Sequence, residues 1–156
     1  MAHFDKTIPP GGEGKITLKV NTKGYQGKVT KSAKVYHNDP RSEVLVLKVT
    51  ANVKVPIYLS SRYVSFQGWA DQSATRVIEI RAELDKPLKL TPIEFNLADK
   101  LTYTIEEIQE GKRFRITFKT IPGDHPTLSG FLKLKTNYPE KPEITVRIRV
   151  LATKKG

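Results

Sequence analysis

"PPGGEGKITLKV", residues 9–20, returns in altered form as "QEGKRFRITFKT", residues 109–120. Ile16-Thr17-Leu18-Lys19 aligns with Ile116-Thr117-Phe118-Lys119 at an offset of 100 positions, so a chain of 156 residues repeats itself at a spacing too wide for two equal halves. The repeat continues beyond this stretch. Lys34-Val35-Tyr36-His37-Asn38-Asp39-Pro40 matches Lys133-Leu134-Lys135-Thr136-Asn137-Tyr138-Pro139, shifted by 99. Leu45, Leu47, Val49 and Ala51 then match Val146, Ile148, Val150 and Ala152 with a shift of 101. Each copy reads as strand, strand, Asn-x-Pro turn, strand. In such a turn the asparagine side chain is expected to cap the local backbone, and proline fixes φ and withholds a donor.

Alternation of apolar and polar residues, punctuated by ten prolines and ten glycines, predicts strands and no helix. Strands are expected at 14–21, 28–37 and 43–54, and after Pro56 at 57–66, 74–83, 87–97, 101–109, 112–121, 128–137 and 143–152. Seven short strands over about 100 residues is the pattern of an immunoglobulin-like antiparallel β-sandwich. Three strands do not close one, because each inner face needs a second sheet to cover it. The expected organisation is therefore all-β, with residues 1–55 as the C-terminal half of one sandwich and 56–156 as a complete seven-stranded one. On this reading the chain starts within a domain, and the first half is completed by contact with the second domain or another copy of the chain.

The first segment, "IPPGGEGKITLKVNTKGYQGKVTKSAKVYHNDPRSEVLVLKVTANV", resembles the C-terminal half of the bacterial hydin-like immunoglobulin-fold domains, a family largely of unknown function. The resemblance is carried by Ile8-Pro9-Pro10-Gly11-Gly12, Asn21-Thr22-Lys23-Gly24, the run ending His37-Asn38-Asp39-Pro40, and Leu47-Lys48-Val49. Residues 57–152 resemble it more loosely, keeping Gly111 and Asn137-Tyr138-Pro139. The resemblance implies a binding or scaffolding module, related in shape to major-sperm-protein domains, without enzyme activity. It also implies a periplasmic or cell-envelope setting. A Cys-Gly-Cys element common in the family has no counterpart, since the chain contains no cysteine.

The residues point to no catalysis or cofactor. Without cysteine there is no disulfide, thiolate nucleophile or Cys-ligated zinc. The three histidines are His3, His37 and His125. Asp124-His125 lies near Ser129, but sequence proximity does not produce triad geometry, and Gly-x-Ser-x-Gly is absent. His37 with Asp39 belongs to a turn. Glu106, Glu107 and Glu110 lie beside Lys112 and Arg113 in a solvated region. Gly11-Gly12-Glu13-Gly14-Lys15 lacks the spacing and helix of a phosphate loop. No apolar run approaches the ~18 residues of a membrane span, and no small-molecule substrate is expected.

Two surface features remain. The formal charge is +11, and strand alternation turns Lys133, Lys135, Arg147 and Arg149 outward on two neighbouring strands. This face is expected either to bind anionic polymers (nucleic acid, acidic polysaccharide or lipid headgroups) or to keep foreign strands away. Arg113, Arg115 and Lys119 should decorate the other sheet. Binders of single-stranded nucleic acid interleave aromatics with cations, and Tyr36 is the aromatic that the sequence places among them. The second feature is Glu43-Val44-Leu45-Val46-Leu47-Lys48, apolar on both faces. Val44 and Val46, together with the single tryptophan Trp69, are the expected contacts to a protein partner or a second copy.

Overall fold

A computed structural model describes residues 2–67, 73–123 and 127–151, all of them strand, turn or loop. The chain divides into two compact units, Met1–Val55 and Pro56–Gly156.

The second unit is an immunoglobulin-like sandwich. Its strands are β5 (Ile57–Leu59), β6 (Tyr63–Gln67), β7 (Thr75–Ala82), β8 (Leu90–Phe95), β9 (Leu101–Gln109), β10 (Arg113–Thr120), β11 (Leu128–Thr136) and β12 (Glu143–Leu151). They form two four-stranded sheets, β5-β7-β10-β9 and β6-β12-β11-β8, antiparallel except where β6 runs parallel to β12. The strand expected over 57–66 is thus two strands in two sheets. The change of sheet shows in the inward positions, which pass from odd (Ile57, Leu59) to even (Val64, Phe66) across Ser60–Arg62. The stretch at Trp69 and that at His125 lie outside the described residues.

Between the sheets, Ile78, Ile80, Ile116 and Phe118 face Phe66, Leu132, Leu134, Val146 and Ile148, all buried. Each such side chain contributes about 1.5–3 kcal/mol when withdrawn from water. Phe95 of β8 and Tyr103 of β9 meet edge-to-face across the layers, with centroids 4.9 Å apart. Two bulges interrupt the ladders. One leaves Ile93 without a cross-strand partner between Pro92 and Glu94, the other Ile108 between Glu107 and Gln109. Both isoleucines are exposed as a result.

The Asn-x-Pro segment of this unit is a clasp, where local capping was expected. The Asn137 side chain accepts from Lys89 N at 2.8 Å and donates to Pro87 O at 3.0 Å. The buried Tyr138 donates its hydroxyl to Lys86 O. The β11–β12 turn therefore holds the β7–β8 connection, a long-range contact that the local motif does not announce. Gly111 closes the same corner: its φ is +59°, and a methyl group there would stand 2.5 Å from Pro87 Cβ.

The first unit has β1 (Ala2–Phe4) paired with β2 (Ile16–Leu18), and β3 (Gly27–Tyr36) paired with β4 (Val44–Val53). These pairings match β9 with β10 and β11 with β12. Strand β1 was not anticipated: three residues are too short for a readable alternation, and pairing with β2 defines it. Among the described residues no strand of this unit corresponds to β5–β8, and none of residues 2–55 is buried.

The hairpins also correct the internal alignment. His37 N donates to Glu43 O in the first, and Thr136 N to Pro142 O in the second, so both ends shift by 99. Val46 therefore corresponds to Thr145 and Lys48 to Arg147, two residues from the match at 101. Alternation with period two is satisfied by either shift, and only hairpin closure selects one.

Gly11 and Gly111 correspond, both with positive φ, yet nothing lies within 4 Å of a methyl built on Gly11. Gly111→Ala combines left-handed strain of ~1–3 kcal/mol with ~1–3 kcal/mol of overpacking against Pro87, whereas Gly11→Ala, at φ +76°, carries the strain alone and should cost ~1–3 kcal/mol less in urea unfolding. Burial, with Glu140 adding to it, raises the Tyr138 phenol above its ordinary value of 10.0. Its contribution is intact below pH ~10 and is lost as pH rises through the folded-state value, because the unfolded phenol ionises first. Tyr138→Phe should cost about 1 kcal/mol at neutral pH and flatten the decline of the urea midpoint across the alkaline range.

Candidate functional site: an aromatic and arginine face

Strands β12 and β11 are the central pair of their sheet, flanked by β6 and β8. Inward residues Ile144, Val146, Ile148 and Val150 leave Thr145, Arg147 and Arg149 facing solvent on β12. On β11, Ser129, Phe131, Lys133 and Lys135 lie on the outer face. The four cations singled out by sequence thus share one face, but they are staggered. Lys133 stands opposite Thr145 and Lys135 opposite Glu143, whereas Arg147 stands opposite Phe131 and Arg149 opposite Ser129.

The two ends of this strip differ electrostatically. Lys133 Nζ pairs with Glu94 Oε2 of β8 at 3.0 Å, and Glu143 neighbours Lys135. At the other end, among the described residues neither Arg147 nor Arg149 has an ion pair with a carboxylate. Arg147 instead donates from Nη1 to the Tyr63 hydroxyl at 3.1 Å, and its guanidinium lies 5.7 Å from the Tyr63 ring centroid. Lys133 lies 5.4 Å from the Phe131 ring centroid. Positive charge is concentrated at the arginine end.

Sequence reading missed Tyr63 and Phe131. Phe131 shares the parity of Lys133 and Lys135, so its outward position was available. Tyr63 reaches Arg147 through the parallel β6–β12 pairing, which no local pattern encodes. Tyr36, the aromatic expected among cations, instead sits in the first unit opposite Val44, with Lys34 opposite Val46.

On the opposite sheet, Arg113 meets Glu79 at 3.6 Å, Arg115 meets Glu106 at 3.7 Å, and Arg81 meets Glu83 at 2.6 Å. That face is charged and largely compensated.

In the first unit, Tyr36, Val44 and Val46 occupy the positions of Lys135, Glu143 and Thr145. They are 74%, 39% and 48% exposed, and Leu45 on the other face is 51% exposed. Corresponding faces of the two units therefore differ at these three positions, apolar in the first and polar or charged in the second, while Lys34 and Lys48 keep the cations of Lys133 and Arg147.

Among the described residues no group of three or more His, Cys, Asp or Glu is placed to hold a metal ion. No helix among them is long and apolar enough to cross a membrane.

No protein-family model matches the chain, and no curated protein does. Among solved structures, a protein of unknown function from Porphyromonas gingivalis W83 is similar at 14% identity and a TM-score of 0.49, over 96% of this chain and 79% of that one. Domains 4 and 5 of the S-layer protein SbsC are similar at 16% identity and a TM-score of 0.39, over 94% of each chain.

Proposed function

We propose that the protein is a non-catalytic β-sandwich module that binds a protein partner, or a second copy of itself, along the open strand pair of its first unit. The observation that carries this is the β3–β4 hairpin. Its ten-residue strands form a two-stranded sheet in which no residue is buried, and β4 presents Val44, Leu45 and Val46 in succession. The corresponding strand β12 has a neighbour on both sides. An extended segment adding to β4 would satisfy its free main-chain groups, while Val44 and Val46 meet the added side chains. The resemblance to hydin-like domains agrees with such a role and with placement in a bacterial cell envelope.

A second reading concerns the second unit. The uncompensated Arg147 and Arg149 favour contact with an anionic polymer on the β12–β11 face, at a site separate from the apolar hairpin.

Sedimentation and amide exchange on the full chain test the first reading. Association that rises with concentration should slow exchange across residues 44–53, and Val44→Lys with Val46→Lys should abolish both effects while leaving the second unit's transition unchanged. A chain that stays monomeric at high concentration, with β4 amides as protected as those of β12, would overturn self-association. If no partner segment slowed exchange either, the module reading would fall.

A further inference from the structure

Strand register arranges the arginine end of the outer face into two short rows. Tyr63 of β6, Arg147 of β12 and Phe131 of β11 form the first; Ser65, Arg149 and Ser129 form the second. The rows are two residues apart along the strands, about 6.6–6.8 Å. Together they line an open groove of about 560 Å³ in which Arg147 and Arg149 are the only charged lining residues among those described. Tyr63 is 63% exposed. Asn96 fixes the groove floor by accepting from Phe131 N at 2.8 Å.

Protection of sheet edges does not account for these arginines. That device places cations on outermost strands, and β12 is an inner strand of its sheet. Solubility does not account for Arg147 either, since it calls for charge without an ordered partner, whereas Arg147 is held against Tyr63 by a hydrogen bond and a ring contact.

The geometry points to a binding site for single-stranded nucleic acid in this groove, with bases stacking on Tyr63 and Phe131 and successive phosphates met by Arg147 and Arg149. The inference rests on the polyanion reading of the face and adds the ligand class to it. Arginine meets phosphate through a planar fork of donors, and the hydroxyls of Ser65 and Ser129 flank Arg149 as further donors. The spacing of the two rows is about twice the ~3.4 Å per nucleotide of a stacked strand, which suits an extended strand with splayed bases. A duplex keeps its bases inside and would leave the aromatic rings unused. A sulfated polysaccharide meets the two guanidiniums but has no aromatic base to lay on the rings. An open groove with cations and aromatics interleaved is the arrangement that non-sequence-specific single-strand binders use.

The test is fluorescence anisotropy of the full chain with two labelled probes, an oligothymidylate of about sixteen nucleotides and a heparin oligosaccharide of similar charge. With two phosphates neutralised, log K for the oligothymidylate should fall against log salt with a slope of about −1.4. Arg147→Ala with Arg149→Ala should weaken both probes about tenfold or more at low salt. Tyr63→Leu should weaken the oligothymidylate about fivefold or more, the size of a lost base stack, beyond any loss in Tyr63→Phe, which keeps the ring but drops the hydroxyl that holds Arg147, while the two variants should bind heparin alike. Lys119→Ala, on the other sheet, should change neither, and thermal unfolding of each variant confirms an intact fold. If Tyr63→Leu left oligothymidylate binding unchanged while the double arginine variant lost it, the single-strand inference would fall and the polyanion reading would stand. An equal further loss of heparin from Tyr63→Phe to Tyr63→Leu would assign the groove to polysaccharide and overturn the inference. Indifference of both probes to the arginines would remove the polyanion reading itself.

Discussion

An amphipathic sheet has to have its apolar face covered, and most of this structure follows from whether that cover is present. In the second unit the two inner faces cover each other, and every buried apolar side chain among the described residues falls between Ile57 and Val150. In the first unit the same alternation yields Val29, Ala33, Leu47, Val49 and Ala51 on one face of a two-stranded sheet, and they are only half buried. A two-stranded hairpin is marginal alone in water. The difference between the units is thus one of cover, with similar strand chemistry in both.

Contacts at the β7–β8 corner make the comparison sharper. In the second unit Gly111, Asn137 and Tyr138 converge on residues 86–89, which none of them adjoins in sequence. In the first unit Gly11 keeps the left-handed backbone but has nothing over it, and Asp39 turns its carboxylate to the nearby Arg41 N at 2.9 Å. Residues that join two halves of a sandwich in one place serve only their own turn in the other. The repeated motif keeps its left-handed glycine where nothing packs over it.

What the sequence disclosed follows the range of the interactions involved. The longer strands, the inward residues of β10–β12 and the outward set Lys133, Lys135, Arg147 and Arg149 depend on alternation within a strand, and each is legible, whereas the three-residue β1 and β5 are not. Features set between strands are not. The hairpin register, the bulges that expel Ile93 and Ile108, and the transfer of the chain between sheets at Ser60–Arg62 all require knowledge of the neighbour. The Tyr63–Arg147 contact is the extreme case, since it joins residues 84 positions apart through a parallel pairing. The cations of the candidate groove, and by the same parity Phe131, were therefore readable; Tyr63 was not.

How each sheet edge is finished bears on what the faces are for. In the second unit, edge strand β8 carries Pro92 and a bulge, β9 carries a bulge beside Glu106 and Glu107, and β5 is three residues long. Each of these blunts an edge against foreign strands. The fourth edge, β6, has none of these devices and carries Tyr63 of the groove. The hairpin of the first unit reverses this distribution. Lys48 is the single charge on β4, no proline or bulge interrupts its ten residues, and its apolar residues gather where the strand begins. The second unit blunts three of its four edges and charges a face, whereas the first leaves β4 open beside Val44 and Val46. Two surfaces of such different character suit ligands of different chemistry.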